Sequence, residues 1–135
     1  MKLTPELYSL ALVAFATALM WIPYLLARIG IRGLLPVMGN PDPSQAPDPA
    51  WVDRARRAHV NAAENLVVFA PLVLVAAVAG VSTPATVLAA KTYFIARLVH
   101  YVVYAAGIPV VRTLAFAAGF VATVIFAMAL LGHAT

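Results

Sequence analysis

Long apolar runs alternate with short polar ones along this chain, and the runs have the length of helices that cross a bilayer. The first, Leu7 to Leu26, is twenty residues without a charge, and a membrane-spanning helix needs about 20. Thr4, Pro5 and Glu6 ahead of it form a helix start. Pro23 falls in its last turns, where a kink is tolerated if a neighbour satisfies the freed carbonyl. From Arg28 to Asp48 the pattern breaks. Five prolines lie between Pro36 and Pro49, with Gly39, Asn40 and Asp42 among them, which predicts a loop with some extended structure. Asp48-Pro49 reads as an N-cap and first-turn pair. Helices are predicted over residues 5–27, 50–80, 84–106 and 111–131, with Ser82-Thr83-Pro84 and Gly107 to Pro109 as the turns between the last three.

The second helix carries the information. Its wholly apolar part, Leu66 to Gly80, is fifteen residues, short for a span, so Arg57 through Asn65 must enter the membrane depth. Within it Arg57, Asn61 and Glu64 stand at i, i+4 and i+7, on one face. In the third helix Arg97, His100 and Tyr104 stand at i, i+3 and i+7. Ionisable groups inside a span cost about 2.5–3.5 kcal/mol each on insertion scales and usually face the bundle interior. At a rise of about 1.5 Å per residue, Glu64 and Arg97 reach comparable depths in antiparallel helices. They are expected to form a buried pair. Arg57, His100, Tyr104 and Arg112 then gather nearer the mouth, in a cationic pocket suited to a small, multiply charged anion.

Composition agrees with this all-α, single-domain membrane reading over residues 1–135. Hydrophobic residues make up 64% of the chain and charged ones 10%, and mean hydropathy is +0.94. That is too little polar side chain to cover a water-facing surface. The first apolar run is read as a retained helix rather than a cleaved leader. Cysteine is absent, which excludes disulfides, thiolate metal sites and a protein thiol nucleophile; no metal site is expected. The net charge of +4 is read as a topology signal and not as a nucleic-acid footprint. Arg28, Arg32, Arg54, Arg56, Arg57 and Arg112 all fall in the connections at one end. The positive-inside rule then places that end in the cytoplasm of a multi-pass inner-membrane protein, with both termini periplasmic. Lys91 is expected to snorkel to the opposite surface.

The segment RRAHVNAAENLVVF, Arg56 to Phe69, resembles the signature of the MAPEG family, the membrane-associated proteins in eicosanoid and glutathione metabolism. Its core there is Arg-Ala-x-x-Asn-x-x-Glu. ARLVHYVVYAAGIPVVRT, Ala96 to Thr113, resembles the second signature of that family. The likeness covers helix count, loop lengths and topology over the whole chain. It implies a homotrimer of four-helix bundles with glutathione as co-substrate, bound between subunits near the cytoplasmic face. Arg57, Asn61, Glu64, Arg97, His100 and Tyr104 would form the cofactor-binding set. Arg112 would stabilise the thiolate as the catalytic residue, with Thr113 at the neighbouring hydroxyl position. A lipophilic small molecule would enter from the membrane lipid, giving a transferase or peroxidase acting on lipophilic electrophiles. Val60 departs from the pattern, since some eukaryotic members carry a further Arg there.

Three other readings compete. A non-catalytic lipid-binding or scaffold protein would keep the same fold, since fold alone does not settle activity. A b-type cytochrome would use His59 and His100 as axial ligands, but His59 lies about 200° around the helix from Arg57 and faces away from the cluster. A small multidrug pump would need an unpaired membrane acid, and Glu64 is expected to have a cationic partner.

Overall fold

A computed structural model describes residues 2–134, in which all regular structure is helical: α1 (Pro5–Leu19), α2 (Trp21–Arg32), α3 (Leu34–Met38), α4 (Ala50–Val78), α5 (Pro84–Ala106) and α6 (Pro109–Leu131). Three stretches are long and apolar enough to cross a membrane: Pro5–Arg32, Ala50–Val78 and Pro109–Leu131. The 23-residue α5 has the length, but Lys91, Arg97 and His100 dilute its apolar sequence.

The first stretch is longer than predicted and is broken once. Thr4 caps α1 by accepting from the Leu7 amide at 3.2 Å. At Met20 the ladder tightens, with the Met20 amide donating to the Thr17 carbonyl at 3.3 Å. Pro23 explains the break, because it has no N–H for the Leu19 carbonyl and its ring crowds that turn. The Met20 carbonyl is taken by the Tyr101 hydroxyl of α5 at 2.7 Å, so the irregular turn is satisfied from outside the helix.

The stretch predicted as loop from Arg28 to Asp48 needs correction at its start. α2 runs on to Arg32, Gly33 turns the chain at φ +83°, and Leu34–Met38 forms one further helical turn. Pro36 sits in the first turn of α3, where its missing N–H was unpartnered anyway. Asp48 is not the N-cap of α4 either; Pro49 holds that position with no side-chain cap. The Asp48 carboxylate instead accepts from Arg28 at 3.0 and 2.7 Å and lies 2.9 Å from Arg32. Arg32 also donates to the Ala46 carbonyl at 2.6 Å. Two arginines one helical turn apart offer a stronger partner than a single helix N-terminus, and they fold the proline-rich loop back onto α2.

α5 is the centre of the bundle and packs against α1, α4 and α6. Thr83 and Thr86 cap its start reciprocally. In the core Phe69 of α4 stacks on Tyr93 of α5 with centroids 3.6 Å apart, and Phe126 of α6 meets Phe69 edge-on at 5.5 Å. Ala115, Gly119 and Ala122 form the buried stripe of α6. The small residues of that helix therefore serve contact with α5: Tyr93 and the Arg97 stem lie over Gly119. Outward-facing Phe15, Val67, Leu88, Ile95 and Leu114 are all exposed, as befits a protein whose solvent is lipid.

Both ends of the bundle are tied. At one, the buried Glu6 carboxylate accepts from the Ser82 and Thr86 hydroxyls, each at 2.7 Å. At the other, Arg54 Nε of α4 donates to the Ala105 carbonyl at 3.1 Å, occupying a carbonyl that the end of α5 leaves open. Gly107 closes α5 with φ +82°, and an added Cβ there would lie 3.2 Å from the Arg54 Cζ. Gly107→Ala is thus expected to destabilise the protein by about 1–2 kcal/mol, the cost of a left-handed L-residue, read as a lowered thermal midpoint in detergent.

The loop clasp has a pH dependence. Hydrogen bonds from Arg28 hold the Asp48 carboxyl below the usual carboxylate range, against the opposing effect of burial. Its pKa in the fold lies below that in the unfolded chain, so it stabilises the closed loop at neutral pH. That contribution disappears as pH falls through the lowered value. A spin label at Asn40→Cys, unique in a chain without cysteine, is expected to gain mobility under strong acid. With Asp48→Asn it should be mobile already at neutral pH.

Candidate functional site

Most of the side chains singled out in the sequence meet at the Arg54 end, along the seam of α4, α5 and α6. Arg56, Arg57, Val60, Asn61 and Glu64 of α4 and Tyr104 of α5 line one open groove of about 290 Å³. The 3.6-residue repeat brings Arg57, Asn61 and Glu64 together in its lining, as one helix face requires. Arg57 and Arg56 share Asp53, at 2.8 and 3.6 Å. All three side chains are well exposed, so these pairs steady the arginines without cancelling their field.

Behind the groove lies a buried polar layer. Arg97 is 2% exposed, and its Nη2 donates to Asn61 Oδ1 at 2.6 Å. His100, also buried, has Nδ1 3.5 Å from the same nitrogen. Tyr104 takes His100 edge-on at 5.6 Å and carries the Arg112 guanidinium over its ring at 4.5 Å. Asn61, Arg97, His100, Tyr104 and Arg112 thus form one chain of contacts from the bundle interior to the groove mouth. Cation–π contact fixes Arg112 beside the groove while leaving its N–H donors free.

The expected Glu64–Arg97 pair is not formed. Asn61 takes the guanidinium, and Glu64 is exposed in the groove. Arg97 meets α4 one turn before Glu64, and three residues turn Glu64 about 300° from Asn61, onto the flank of α4. Thr113 lies beside Arg112 on α6, with its hydroxyl donating to the Pro109 carbonyl at 3.2 Å and its side chain exposed. It does not line the groove. His59 bonds the Tyr24 hydroxyl of α2 at 2.9 Å, while His100 is buried against Tyr104. The two histidines serve different contacts, and nothing brings them to a common axial position.

Three further residues matter here, two of which the sequence marks as topology charges and one as a small packing residue. Arg56 lines the groove. Arg54 braces the turn that leads to Arg112, and its place three residues before Arg57 was the available signal. Gly119 gives Arg97 its room; the spacing of Ala115, Gly119 and Thr123 by four signals close packing on that helix but not which residue it admits.

Removing the Asn61 acceptor tests the buried layer. Asn61→Ala leaves a sealed guanidinium nitrogen with only its 3.5 Å contact to His100 and is expected to cost about 1.5–3 kcal/mol, the range for hydrogen bonds to charged groups. Combined with Arg97→Met, the loss should fall short of the sum by at least about 0.5 kcal/mol, read from thermal unfolding of the four proteins.

Comparison with known proteins adds one finding. No curated protein and no solved structure matches the chain. The model of the MAPEG family matches residues 8–132, which takes in α4 with its groove residues, α5 with Arg97, His100 and Tyr104, and α6 with Arg112. With nearly the whole chain matched, and the polar groove at the seam of these helices, the chain belongs to the MAPEG family.

Proposed function

We propose that this protein is a membrane-bound, glutathione-dependent transferase or peroxidase acting on lipophilic electrophiles. The observation that carries the reading is the groove in which Arg56, Arg57, Asn61, Glu64 and Tyr104 converge, with Arg112 held on the Tyr104 ring. Family membership supports it, since the family includes glutathione-dependent enzymes.

The donor set suits the tripeptide. Arg56 and Arg57 offer guanidiniums for its carboxylates, and Glu64 offers a carboxylate for its ammonium. Arg97 and His100 act from behind, through Asn61 and Tyr104. Glutathione brings the thiol, which fits a chain without cysteine. A free thiol ionises near pH 8.5, and an adjacent guanidinium lowers that value (about 8.5 for cysteine). Arg112 would therefore hold negative charge on sulfur at neutral pH. Tyr104 keeps the guanidinium from swinging into solvent.

The arrangement in the membrane follows from the same features. α5 is proposed as a fourth span, its Arg97 bonded through Nη2 to Asn61. Six arginines at the groove end support a cytoplasmic position for that end, with both termini across the inner membrane. The groove is open on one side within a subunit, which supports its closure by a neighbour in a homotrimer. The lipophilic substrate would arrive laterally from the bilayer.

Glutathione titrated into detergent-purified protein should give a saturable ultraviolet thiolate band. Arg112→Ala should lose the band and lower turnover about 10²–10³-fold, the usual cost of one preorganised electrostatic group. Tyr104→Phe, which keeps the ring face, should retain most of both. Absence of binding at millimolar glutathione would remove the transferase reading in favour of the non-catalytic, lipid-binding one.

A further inference from the structure

A second cleft, about 470 Å³, lies apart from the groove, between α2, α3 and the proline-rich loop. Its charged lining is balanced: Arg28 and Arg32 on the helix side, Asp42 and Asp48 on the loop side. Asp48 engages both arginines. Arg32 Nε is nevertheless sealed from solvent without an acceptor. Across the cleft the Ser44 amide and hydroxyl both donate to Asp42 Oδ1, at 2.9 and 2.7 Å, which leaves Oδ2 available. The Ser44 hydroxyl bond holds that exposed carboxyl below its ordinary range. A simple anion would meet two carboxylates here and a simple cation two guanidiniums. A molecule carrying one charge of each sign meets neither conflict.

The surroundings specify the rest of the molecule. Leu26, Ile31, Leu34, Leu35 and Met38, on α2 and α3 beside the cleft, are more than half exposed. Such a run of large apolar side chains at the arginine-rich end of the bundle has acyl chains as its natural cover. No aromatic side chain lines the cleft, so it lacks the cage that recognises a quaternary ammonium. A primary ammonium, by contrast, donates N–H bonds that Asp42 can accept.

We propose that this cleft binds the headgroup of an ethanolamine phospholipid, its phosphate on Arg28 and Arg32 and its ammonium on Asp42. The acyl chains lie along α3 and the outer face of α2. The proposal rests on the membrane setting of the chain and is independent of the glutathione reading.

The test is the thermal midpoint of the full chain in detergent, titrated with phosphatidylethanolamine, phosphatidylcholine or phosphatidylglycerol of identical chains, with inorganic phosphate, and with glutathione. Phosphatidylethanolamine is expected to raise the midpoint saturably and more than the others. Asp42→Asn keeps an acceptor for Ser44 and lies on the surface, so it should fold normally. It should weaken that lipid's binding about tenfold (about 1.4 kcal/mol) and abolish the preference over phosphatidylcholine. Arg32→Gln should weaken all three lipids. Equal stabilisation by the ethanolamine and choline lipids would overturn the proposal, as would a stronger effect of phosphatidylglycerol or free phosphate. Glutathione binding lost with the same two variants would overturn it too, assigning the cleft to the peptide.

Discussion

A guanidinium buried among apolar helices has to be hydrogen-bonded, and here Arg97 is met by Asn61 at 2.6 Å. A positive charge kept from water without an acceptor costs several kcal/mol, so this bond, together with the Phe69–Tyr93 stack, ties α4 to α5. α6 is bound by the same demand, since the Arg97 stem lies over Gly119. His100 and Tyr104 extend the contact along α5, and Tyr104 hands it to Arg112. Because Asn61 is neutral, the charge of Arg97 is bonded but not cancelled. The wall behind the groove therefore stays electropositive.

Two clefts share the arginine-rich end of the bundle and differ in character. The groove along α4 has its two arginines anchored to a single exposed aspartate, with Glu64 alone at the far end. The cleft under the proline-rich loop is balanced, because Asp48 has left the start of α4 to bind α2. One displaced cap thus alters both places. It frees the first turn of α4 from a side-chain cap and gives the loop a fixed shape.

Periodicity revealed much of this. The start and end of α5 stand where Thr83-Pro84 and Gly107 place them, and α4 begins at Ala50 as read. Spacing by three and four grouped Arg57, Asn61 and Glu64, and separately Arg97, His100 and Tyr104. It could not say which member of one face meets which member of the other. That choice depends on crossing geometry, and the structure gives Arg97 to Asn61 rather than Glu64. Local propensity also misjudged Asp48, because an aspartate before proline scores well as a cap while the two arginines lie sixteen and twenty residues earlier in sequence. The break at Met20 was half legible: Pro23 marked it, but the Tyr101 hydroxyl that satisfies it comes from another helix.

The two ties on α5 have a mechanical meaning. Its first turn is held by Glu6 through Thr86, and its last by Arg54 through the Ala105 carbonyl. A rod clamped at both tips can neither slide along its axis nor tilt without breaking a bond in a poorly solvated place. α5 thus serves as the fixed post of the bundle, and compliance is left to the parts around it. Chief among these are the far end of α2, α3 and the loop, whose side-chain ties beyond the Tyr101–Met20 bond are the Asp48 clasp and the Tyr24–His59 bond. Widening of the protein to admit a bulky apolar molecule would begin on that flank.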